Sequence, residues 1–371
     1  MVKFNRTMLL HRVGEFISSS AFTIESGNSA QKERAFTELA LAVFHYQFEH
    51  NLPYRKLCQN RGVEPDHVRR WQEIPPVMAS SFKYAPLFCG DHSQDAIRVF
   101  HTSGTTQNKP GKHYFRTLEL YRTASLRMFK WACLPDSQKM SMLILGPNAV
   151  DFPNSSLGQM FSWVVEAYGA PDFSFCFSQK GLDFHSAMRW LQEQCLQQTP
   201  VFILATSLTL LDFIKNSHPG ELPFKLPTGS RILDTGGYKS SLHSIERNDF
   251  LELAANQFGL PKEWIFNEYG MTELSSQFYE TRFIAEAFGV GVKAMPPWVH
   301  SLACNPETLA PLPEGDEGVL RHFDLANLDS VAMLQTEDMG IVRGCTIELL
   351  GRDPNAEPRG CSLLADEISR S

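Results

Sequence analysis

The spacing of apolar residues divides the chain into three regions. Up to about Arg98 the apolar positions recur at helical spacing. In residues 31–50, for example, Phe36, Leu39 and Val43 fall on one stripe. Short apolar runs then alternate with helical patterns, and in the last part of the chain a series of prolines precedes strand-like apolar runs. We therefore expect a helical N-terminal region, an α/β core and a smaller β-rich end.

The alternating pattern in the middle of the chain predicts parallel sheets. The predicted strands span residues 141–145, 201–205, 231–234 and 264–266, and the predicted helices span residues 156–168, 185–197 and 242–258. Strands and helices that alternate along a chain form parallel sheets with helices on both faces. The predicted strands of the β-rich end are residues 319–323, 331–334 and 341–350. The fold class is therefore α/β, with one domain over residues 1–350 and a short tail over residues 351–371.

Composition and charge exclude several classes of protein. The 371 residues include 34 Lys and Arg against 41 Asp and Glu, a net charge of −7, and 43% are hydrophobic. This is the composition of a globular chain with a core, and the negative charge argues against nucleic-acid binding. The eight cysteines are scattered without a CxxC pair, as in a cytoplasmic protein with reduced thiols. No apolar run reaches the roughly 18 residues of a membrane span.

The first segment with candidate chemistry is residues 101–112, His-Thr-Ser-Gly-Thr-Thr-Gln-Asn-Lys-Pro-Gly-Lys, which follows a strand-like run. Glycines let backbone N–H groups approach an anion, and hydroxyls and lysines add donors and positive charge. The sequence therefore predicts a polyphosphate-binding loop, although composition alone is equally consistent with a solvated turn. The candidate contacts are Thr102, Ser103, Gly104, Thr105, Thr106, Lys109 and Lys112.

The second segment is residues 267–273, Asn-Glu-Tyr-Gly-Met-Thr-Glu, which follows the predicted strand 264–266. Ligands of α/β proteins bind beyond the carboxyl ends of the strands. Tyr269 is suited to stack on a planar base, Thr272 to bind a phosphate and Glu273 to hold Mg²⁺. Without further context, the segment is also consistent with an ordinary helix N-terminus.

Two weaker candidate ligand-binding features flank this segment in the sequence, one before it and one after it. Gly236 and Gly237 allow a flat ligand to approach the backbone closely. Asp338, expected just after a strand, is suited to accept both hydroxyls of a ribose.

The order of these segments along the chain resembles that of the acyl-adenylate-forming superfamily. The resemblance implies that the loop binds the phosphates of ATP, that Gly236 and Gly237 line the adenine pocket, and that Asp338 binds the ribose. Tyr269, Gly270, Thr272 and Glu273 then supply the contacts to adenine, phosphate and Mg²⁺. Gly351-Arg352-Asp353 resembles the hinge to a C-terminal lid. This chain differs from the usual Thr-Gly-Asp ribose motif, because Glu337 stands in place of the glycine.

A narrower resemblance is carried by residues 71–83 (WQEIPPVMASSFK), 101–106, 234–239 and 359–362 (RGCS). These segments are similar to the long-chain-fatty-acid–protein ligases, the acyl-protein synthetases of the bacterial luciferase fatty-acid reductase complex, from about residue 65 to the end. The resemblance implies that the chain activates a fatty acid as acyl-AMP and then acylates its own Cys361. It also implies an acyl-accepting partner protein, such as a reductase. Arg352 and Arg359 would lower the pKa of the thiol, and Asp366 and Glu367 would raise it.

The short C-terminus predicts a truncated lid. Only 18 residues follow Asp353, fewer than the lid of the larger acyl-CoA ligases contains. The lysine of that lid therefore has no obvious counterpart, and Lys239 or Lys112 is expected to replace it. The leading hypothesis is an AMP-forming acid–thiol ligase that uses ATP and Mg²⁺. An acyl- or aryl-CoA ligase and an inactive nucleotide-binding scaffold subunit are the alternatives, and the acid and the oligomeric state are left open.

Overall fold

The computed structural model describes residues 5–22, 30–102, 110–136, 139–216, 225–237 and 245–352. These residues form two compact units. The first unit draws on residues 1–125, 271–277 and 295–371, and the second on residues 126–270 and 278–294. Each unit is therefore assembled from segments that are distant in sequence.

Helices dominate the N-terminal part of the first unit, as predicted. The described elements are α1 (Arg6–Ser19), α2 (Ala30–His50), α3 (Leu52–Asn60), β1 (Val77–Met78), β2 (Arg98–His101), β3 (Lys112–Phe115) and α4 (Glu119–Cys133), which crosses into the second unit. The stripe predicted from the spacing is the buried face of α2, with Phe36, Leu39 and Val43 at most 5% exposed. The Asn5 side chain begins α1 by accepting from the N–H of Thr7 at 2.8 Å.

The second unit is built on a mainly parallel sheet. Its strands are β4 (Met140–Leu145), β5 (Gly169–Phe175), β6 (Phe177–Ser178), β7 (Gly181–Leu182), β8 (Val201–Thr206), β9 (Arg231–Thr235), β10 (Ile265–Tyr269), β11 (Phe278–Tyr279) and β12 (Val292–Ala294). Its helices are α5 (Ser156–Tyr168), α6 (Phe184–Gln197), α7 (Ser207–Lys215), α8 (Arg247–Phe258) and α9 (Arg282–Phe288). The order across the sheet is β5-β4-β8-β9-β10-β11-β12, and the first five of these strands are parallel. The pairs β10–β11 and β11–β12 are antiparallel.

Continuous apolar runs explain the centre of this sheet. Every residue of β4 and β9 is buried, as expected for parallel strands covered on both faces. Phe213 of α7 and Phe250 of α8 enter the same hydrophobic core as Ile203 and Ile232. The predicted α/β class is confirmed. The predicted helix 242–258 begins in the structure at Arg247, and residues 242–244 lie outside the described part of the chain.

The β-rich end belongs to the first unit. Its strands are β13 (Val299–Cys304), β14 (Glu317–Asp324), β15 (Met333–Arg343) and β16 (Thr346–Arg352). They pair antiparallel in this order, and β1 pairs parallel with β15. The predicted strand 341–350 is wrong, because residues 341–343 end β15 and the chain turns at Gly344 before β16. The predicted boundary at residue 350 falls within β16.

The N-terminal helices hold the loop that connects β14 to β15. Arg6 donates two hydrogen bonds to the carboxylate of Asp329, at 2.6 and 2.7 Å. Gln47 and Asn51 donate to the carbonyl oxygens of Asn327 and Ser330, at 2.8 and 3.1 Å. This loop is therefore fixed by side chains from the other end of the chain.

Candidate functional site

The predicted phosphate loop connects the two strands of a β-hairpin. β2 pairs antiparallel with β3, with His101 opposite Lys112. The N–H of Thr102 donates to the carbonyl of Gly111 at 3.0 Å, and the N–H of Gly111 donates to Thr102 Oγ1 at 2.9 Å. The two ends of the loop are thus held together, with Lys112 exposed at its base. Outside the described residues lie Ser103, Gly104, Thr105, Thr106 and Lys109.

Thr272 lies beside the base of this hairpin, within the first unit. Its hydroxyl donates to the carbonyl of His101 at 3.5 Å, and its own carbonyl accepts a 2.7 Å hydrogen bond from His113 Nδ1. Burial lowers the pKa of His113 to about 4, so its ring is neutral at pH 7 and acts as a fixed donor. The fold therefore places the hydroxyl of Thr272, a predicted phosphate contact, next to the base of the predicted phosphate loop.

Glu273 is a buried carboxyl group among other charged side chains of the first unit. Burial raises its pKa to about 7, and the nearby charge of Asp338 acts in the same direction. The positive charges of Arg352 and Lys83 oppose this rise in the pKa. The backbone of Glu273 is held by Asn327, whose Nδ2 donates to the Glu273 carbonyl at 2.8 Å. At neutral pH both the protonated and the ionised form of this carboxyl group are therefore populated.

Asp338 lies inside β15 rather than after a strand, which corrects the prediction. It stands opposite Arg352 of β16, whose Nε lies 3.6 Å from Asp338 Oδ1. The ladder shifts register between Met339 and Gly340, so the strand is irregular next to the aspartate. The N–H of Asp338 also donates to Thr336 Oγ1 at 3.1 Å. The half-buried carboxylate is thus carried by a hairpin and lies near Glu273.

In the second unit, the predicted glycine pair follows the end of β9. Gly236 has a φ of +92°, which favours glycine, and both Gly236 and Gly237 are exposed after a fully buried strand. Ser207 Oγ lies 3.0 and 3.1 Å from the carbonyl oxygens of Thr235 and Gly236. Ser207 Oγ therefore lies within hydrogen-bonding distance of the backbone that leads into the glycine pair. Lys239 lies outside the described residues.

Tyr269 is the last residue of the neighbouring strand, β10, and Gly270 follows it. Tyr269 is half-buried against Phe278, with the ring centroids 5.6 Å apart, and Gly270 is exposed. Glu268, just before them, is buried and accepts a hydrogen bond from Thr235 Oγ1, and burial raises its pKa to about 7. Since β9 and β10 are adjacent and parallel, the predicted adenine contacts leave neighbouring strands at the same edge.

Sequence reasoning missed a buried charged cluster in the second unit. Arg247 lies 3.2 Å from Asp234 and 3.0 Å from Glu280. Burial lowers the pKa of Lys293, while the charges of Glu280, Asp234 and Glu268 act to raise it. These residues share no motif. The only available signal is a charged residue inside an apolar run, as in Ile-Leu-Asp234 and Val-Lys293-Ala.

Cys361, the predicted acyl acceptor, lies outside the described residues, so its role stays a prediction.

Among the described residues, no helix is both long and apolar enough to cross a membrane.

Comparison with solved structures defines the class of fold. An open conformation of 2-hydroxyisobutyryl-CoA ligase, in complex with 2-HIB-AMP and CoA, matches with a TM-score of 0.64 at 14% identity, over 91% of this chain and 78% of that one. The same ligase in the postadenylation state matches with a TM-score of 0.66 over 88% and 69%. ATP-bound MatB from Rhodopseudomonas palustris matches with a TM-score of 0.51 at 14% identity over 70% of this chain, which spans 48% of the MatB chain. The fold is that of the acyl-adenylate-forming ligases.

Sequence comparison then identifies the family. The family model described as "Acyl-protein synthetase, LuxE" matches residues 13–368, so the chain belongs to the acyl-protein synthetase family. The long-chain-fatty-acid–luciferin-component ligase of Aliivibrio fischeri is 27% identical over 356 residues, covering 90% of this chain and 89% of the relative. The ligase of the same description from Vibrio harveyi is 26% identical over 354 residues, covering 90% and 88%. The family resemblance predicted from the motifs is confirmed.

Proposed function

We propose that the chain activates a long-chain fatty acid with ATP and then carries the acyl group on Cys361 to a partner protein. The observation that supports adenylation most directly is the grouping in the first unit. Thr272 lies at the base of the phosphate loop, and Glu273 lies near the pair formed by Asp338 and Arg352. The two relatives are long-chain-fatty-acid–luciferin-component ligases, which supports a long-chain fatty acid as the substrate.

In the first step, a carboxylate oxygen of the acid attacks the α-phosphorus of ATP. The bond from that phosphorus to the bridging oxygen breaks, pyrophosphate leaves with the electron pair, and acyl-AMP remains. The protein contributes mainly positioning and charge stabilisation. Residues 102–112 and Thr272 bind the phosphates, Asp338 accepts the ribose hydroxyls, and Tyr269 stacks on the adenine. Gly236, Gly237 and Gly270 line the adenine pocket.

Glu273 would hold Mg²⁺ in this complex. Mg²⁺ is usually bound by one or two carboxylates together with phosphate oxygens, and the buried Glu273 would supply one such carboxylate. When bound, the ion neutralises charge on the phosphates. Because the pKa of Glu273 is about 7, binding the ion requires this carboxyl group to lose its proton.

In the second step, the thiolate of Cys361 attacks the carbonyl carbon of acyl-AMP, and AMP leaves. A partner then takes the acyl group from the thioester, and we propose that this partner is a reductase. The seven cysteines among the described residues all carry thiols rather than disulfides, which supports a reducing cytoplasmic setting. Lys112 or Lys239 supplies the positive charge that the lid lysine supplies in larger ligases.

The experiment that tests the proposal is acid-dependent exchange of labelled pyrophosphate into ATP, run with acids of increasing chain length. We expect exchange with long-chain fatty acids and little with short or aromatic acids. The absence of exchange with every acid would exclude adenylation. Lys112→Ala and Lys239→Ala assayed side by side would assign the lysine, because only one of them should slow the exchange strongly.

A further inference from the structure

One carboxylate of the second unit, Asp234, connects three neighbouring elements. It is fully buried near the end of β9. Its Oδ2 accepts a 2.7 Å hydrogen bond from Ser207 Oγ in α7 and a 2.8 Å hydrogen bond from Asn267 Nδ2 in β10. Its Oδ1 accepts a 3.2 Å hydrogen bond from Arg247 Nη1 in α8. A buried carboxylate is unfavourable unless donors and a cation compensate its charge, and these contacts supply both.

Arg247 extends this connection beyond Asp234. Its Nε donates to Glu280 Oε2 at 3.1 Å, and its Nη2 lies 3.4 Å from the carbonyl oxygen of Ile265 at the start of β10. The side chain is only 15% exposed, so these interactions are largely shielded from solvent. The planar guanidinium can address two carboxylates and a carbonyl at once, which a lysine ammonium cannot do in the same geometry.

The residues bonded to Asp234 lie next to the two segments that carry the predicted adenine contacts. Gly236 comes two residues after Asp234, and Ser207 Oγ binds the Asp234 carboxylate and lies 3.1 Å from the Gly236 carbonyl. Tyr269 comes two residues after Asn267, which stands directly opposite Asp234 in the sheet. Both segments therefore adjoin residues that bind the same buried carboxylate.

We propose that Asp234 and Arg247 are positioning residues of the nucleotide site. They hold Gly236–Gly237 and Tyr269–Gly270 at the mutual spacing that an adenine ring requires. This inference rests on the proposed function, in which these two segments bind the adenine of ATP. Neither residue touches the nucleotide; both act through Ser207, Asn267 and the backbone that follows them.

The test uses the full chain and a fluorescent ATP analogue, mant-ATP, so that binding is measured apart from catalysis. The variants are Arg247→Met, Arg247→Lys and Ser207→Ala. The matched control is Arg231→Met, because Arg231 is equally an ion-paired arginine of this unit, 3% exposed beside Asp136, but it stands at the opposite end of β9. We expect Arg247→Met to weaken binding of mant-ATP about tenfold, with a similar rise in KM for ATP, since misplaced contacts lose binding energy.

Several measurements separate positioning from general stability. Arg247→Met should lower the preference for ATP over GTP and leave KM for the acid within about twofold of its original value. Arg247→Lys and Ser207→Ala should show the same two effects to a smaller degree. Arg231→Met should lower Tm while keeping the affinity for mant-ATP. Equal losses of affinity in Arg231→Met and Arg247→Met would overturn the proposal, as would unchanged affinity in both. If Arg247→Met does not fold, Arg247→Lys and Ser207→Ala decide on the same criteria. Failure of the unmodified chain to bind mant-ATP would instead overturn the proposed function.

Discussion

Burial raises the pKa of Glu273, the proposed Mg²⁺ ligand, to about 7. A metal ion must compete with the proton, so the affinity for Mg²⁺ should fall as the pH drops below 7. We expect the Mg²⁺ concentration for half-maximal pyrophosphate exchange to rise by about tenfold per pH unit in this range. In Glu273→Gln the exchange should slow by on the order of 10²-fold, and the remaining rate should lose this pH dependence.

Glu268→Gln is the matched control for this experiment. Glu268 is buried and its pKa is also about 7, but it lies in the second unit, where Thr235 holds its carboxyl group. This variant should keep the dependence of the Mg²⁺ requirement on pH. If Glu273→Gln and Glu268→Gln shift the requirement equally, or if neither shifts it, Glu273 is not the metal ligand.

Glu268 itself predicts a pH dependence of stability. Burial raises its pKa from 4.5 to about 7, so the folded chain binds this proton more tightly than the unfolded chain. The resulting stabilisation is fully present below about pH 4.5 and is lost as the pH rises to 7, a change of at most about 3 kcal/mol. Glutamine cannot ionise, so Glu268→Gln should become more stable relative to the unmodified chain between pH 5 and pH 8. Urea unfolding at the two pH values measures this, and an unchanged difference would refute it.

At the residue scale, the sequence singles out candidate site residues such as Glu273, but it does not predict the electrostatics of their surroundings. Glu273 was recognisable because it closes the run Tyr-Gly-Met-Thr-Glu. Its raised pKa depends on burial and on the charges of Lys83, Asp338 and Arg352, which are distant along the chain. No local pattern contains that information.

At the scale of elements, the hairpin of β15 and β16 carries Asp338, and it depends on a glycine. A Cβ atom at Gly340 would lie 2.5 Å from the carbonyl oxygen of Glu348 and 2.9 Å from a methyl group of Leu320. Gly340→Ala should therefore destabilise the fold by about 1–3 kcal/mol. It should also raise KM for ATP, because the strand that presents Asp338 must shift.

Gly169→Ala separates these two effects. A Cβ atom there would lie 2.4 Å from the carbonyl oxygen of Val165, so the variant should be destabilised to a similar degree. That contact joins the end of α5 to the start of β5 in the second unit, and KM for ATP should stay near its original value. Thermal unfolding and ATP titration of both variants make the comparison. A rise in KM of equal size in the two variants would mean that the hairpin has no special part in nucleotide binding.

Elements were predictable where apolar periodicity is undisturbed and not where buried polar residues interrupt it. Helix α5 spans the predicted residues 156–168, and β4 and β9 extend their predicted runs by one residue. Within β15, Gln335 is fully buried. Its side-chain oxygen Oε1 accepts a hydrogen bond from Arg321 Nε of β14 at 2.9 Å, which makes the burial of this polar group tolerable. A polar residue satisfied by another strand resembles a loop in the sequence, which explains why the strand was divided incorrectly.

At the scale of the whole molecule, the α/β class was predictable because alternation is a property of long stretches of chain. The set of distant segments that make up the first unit was not predictable. Its N-terminal helices and the loop between β14 and β15 meet through side-chain contacts such as the one between Arg6 and Asp329, which are 323 residues apart. Such pairs leave no periodic signal in the sequence.

The proposed reaction divides the chain functionally, since adenylation uses residues before 353 and acyl transfer uses Cys361. Cys361→Ser should therefore still form acyl-AMP and exchange pyrophosphate, but it should retain no acyl label that hydroxylamine releases. A serine hydroxyl has a far higher pKa than a thiol and needs an activating base. Cys345→Ser is the matched control: Cys345 is a half-buried thiol whose pKa is raised by burial, so its loss should leave labelling intact.

The same variants distinguish a protein ligase from a CoA ligase. If CoA were the acceptor, adding it would drive rapid turnover in both the unmodified chain and Cys361→Ser, and neither would need an acylated cysteine. We expect instead that CoA leaves the rate of AMP release nearly unchanged in both forms. Labelling with a radioactive long-chain acid, followed by hydroxylamine treatment, measures the thioester directly. Normal labelling of Cys361→Ser would contradict Cys361 as the acyl acceptor, because the remaining seven cysteines would then include the true acceptor.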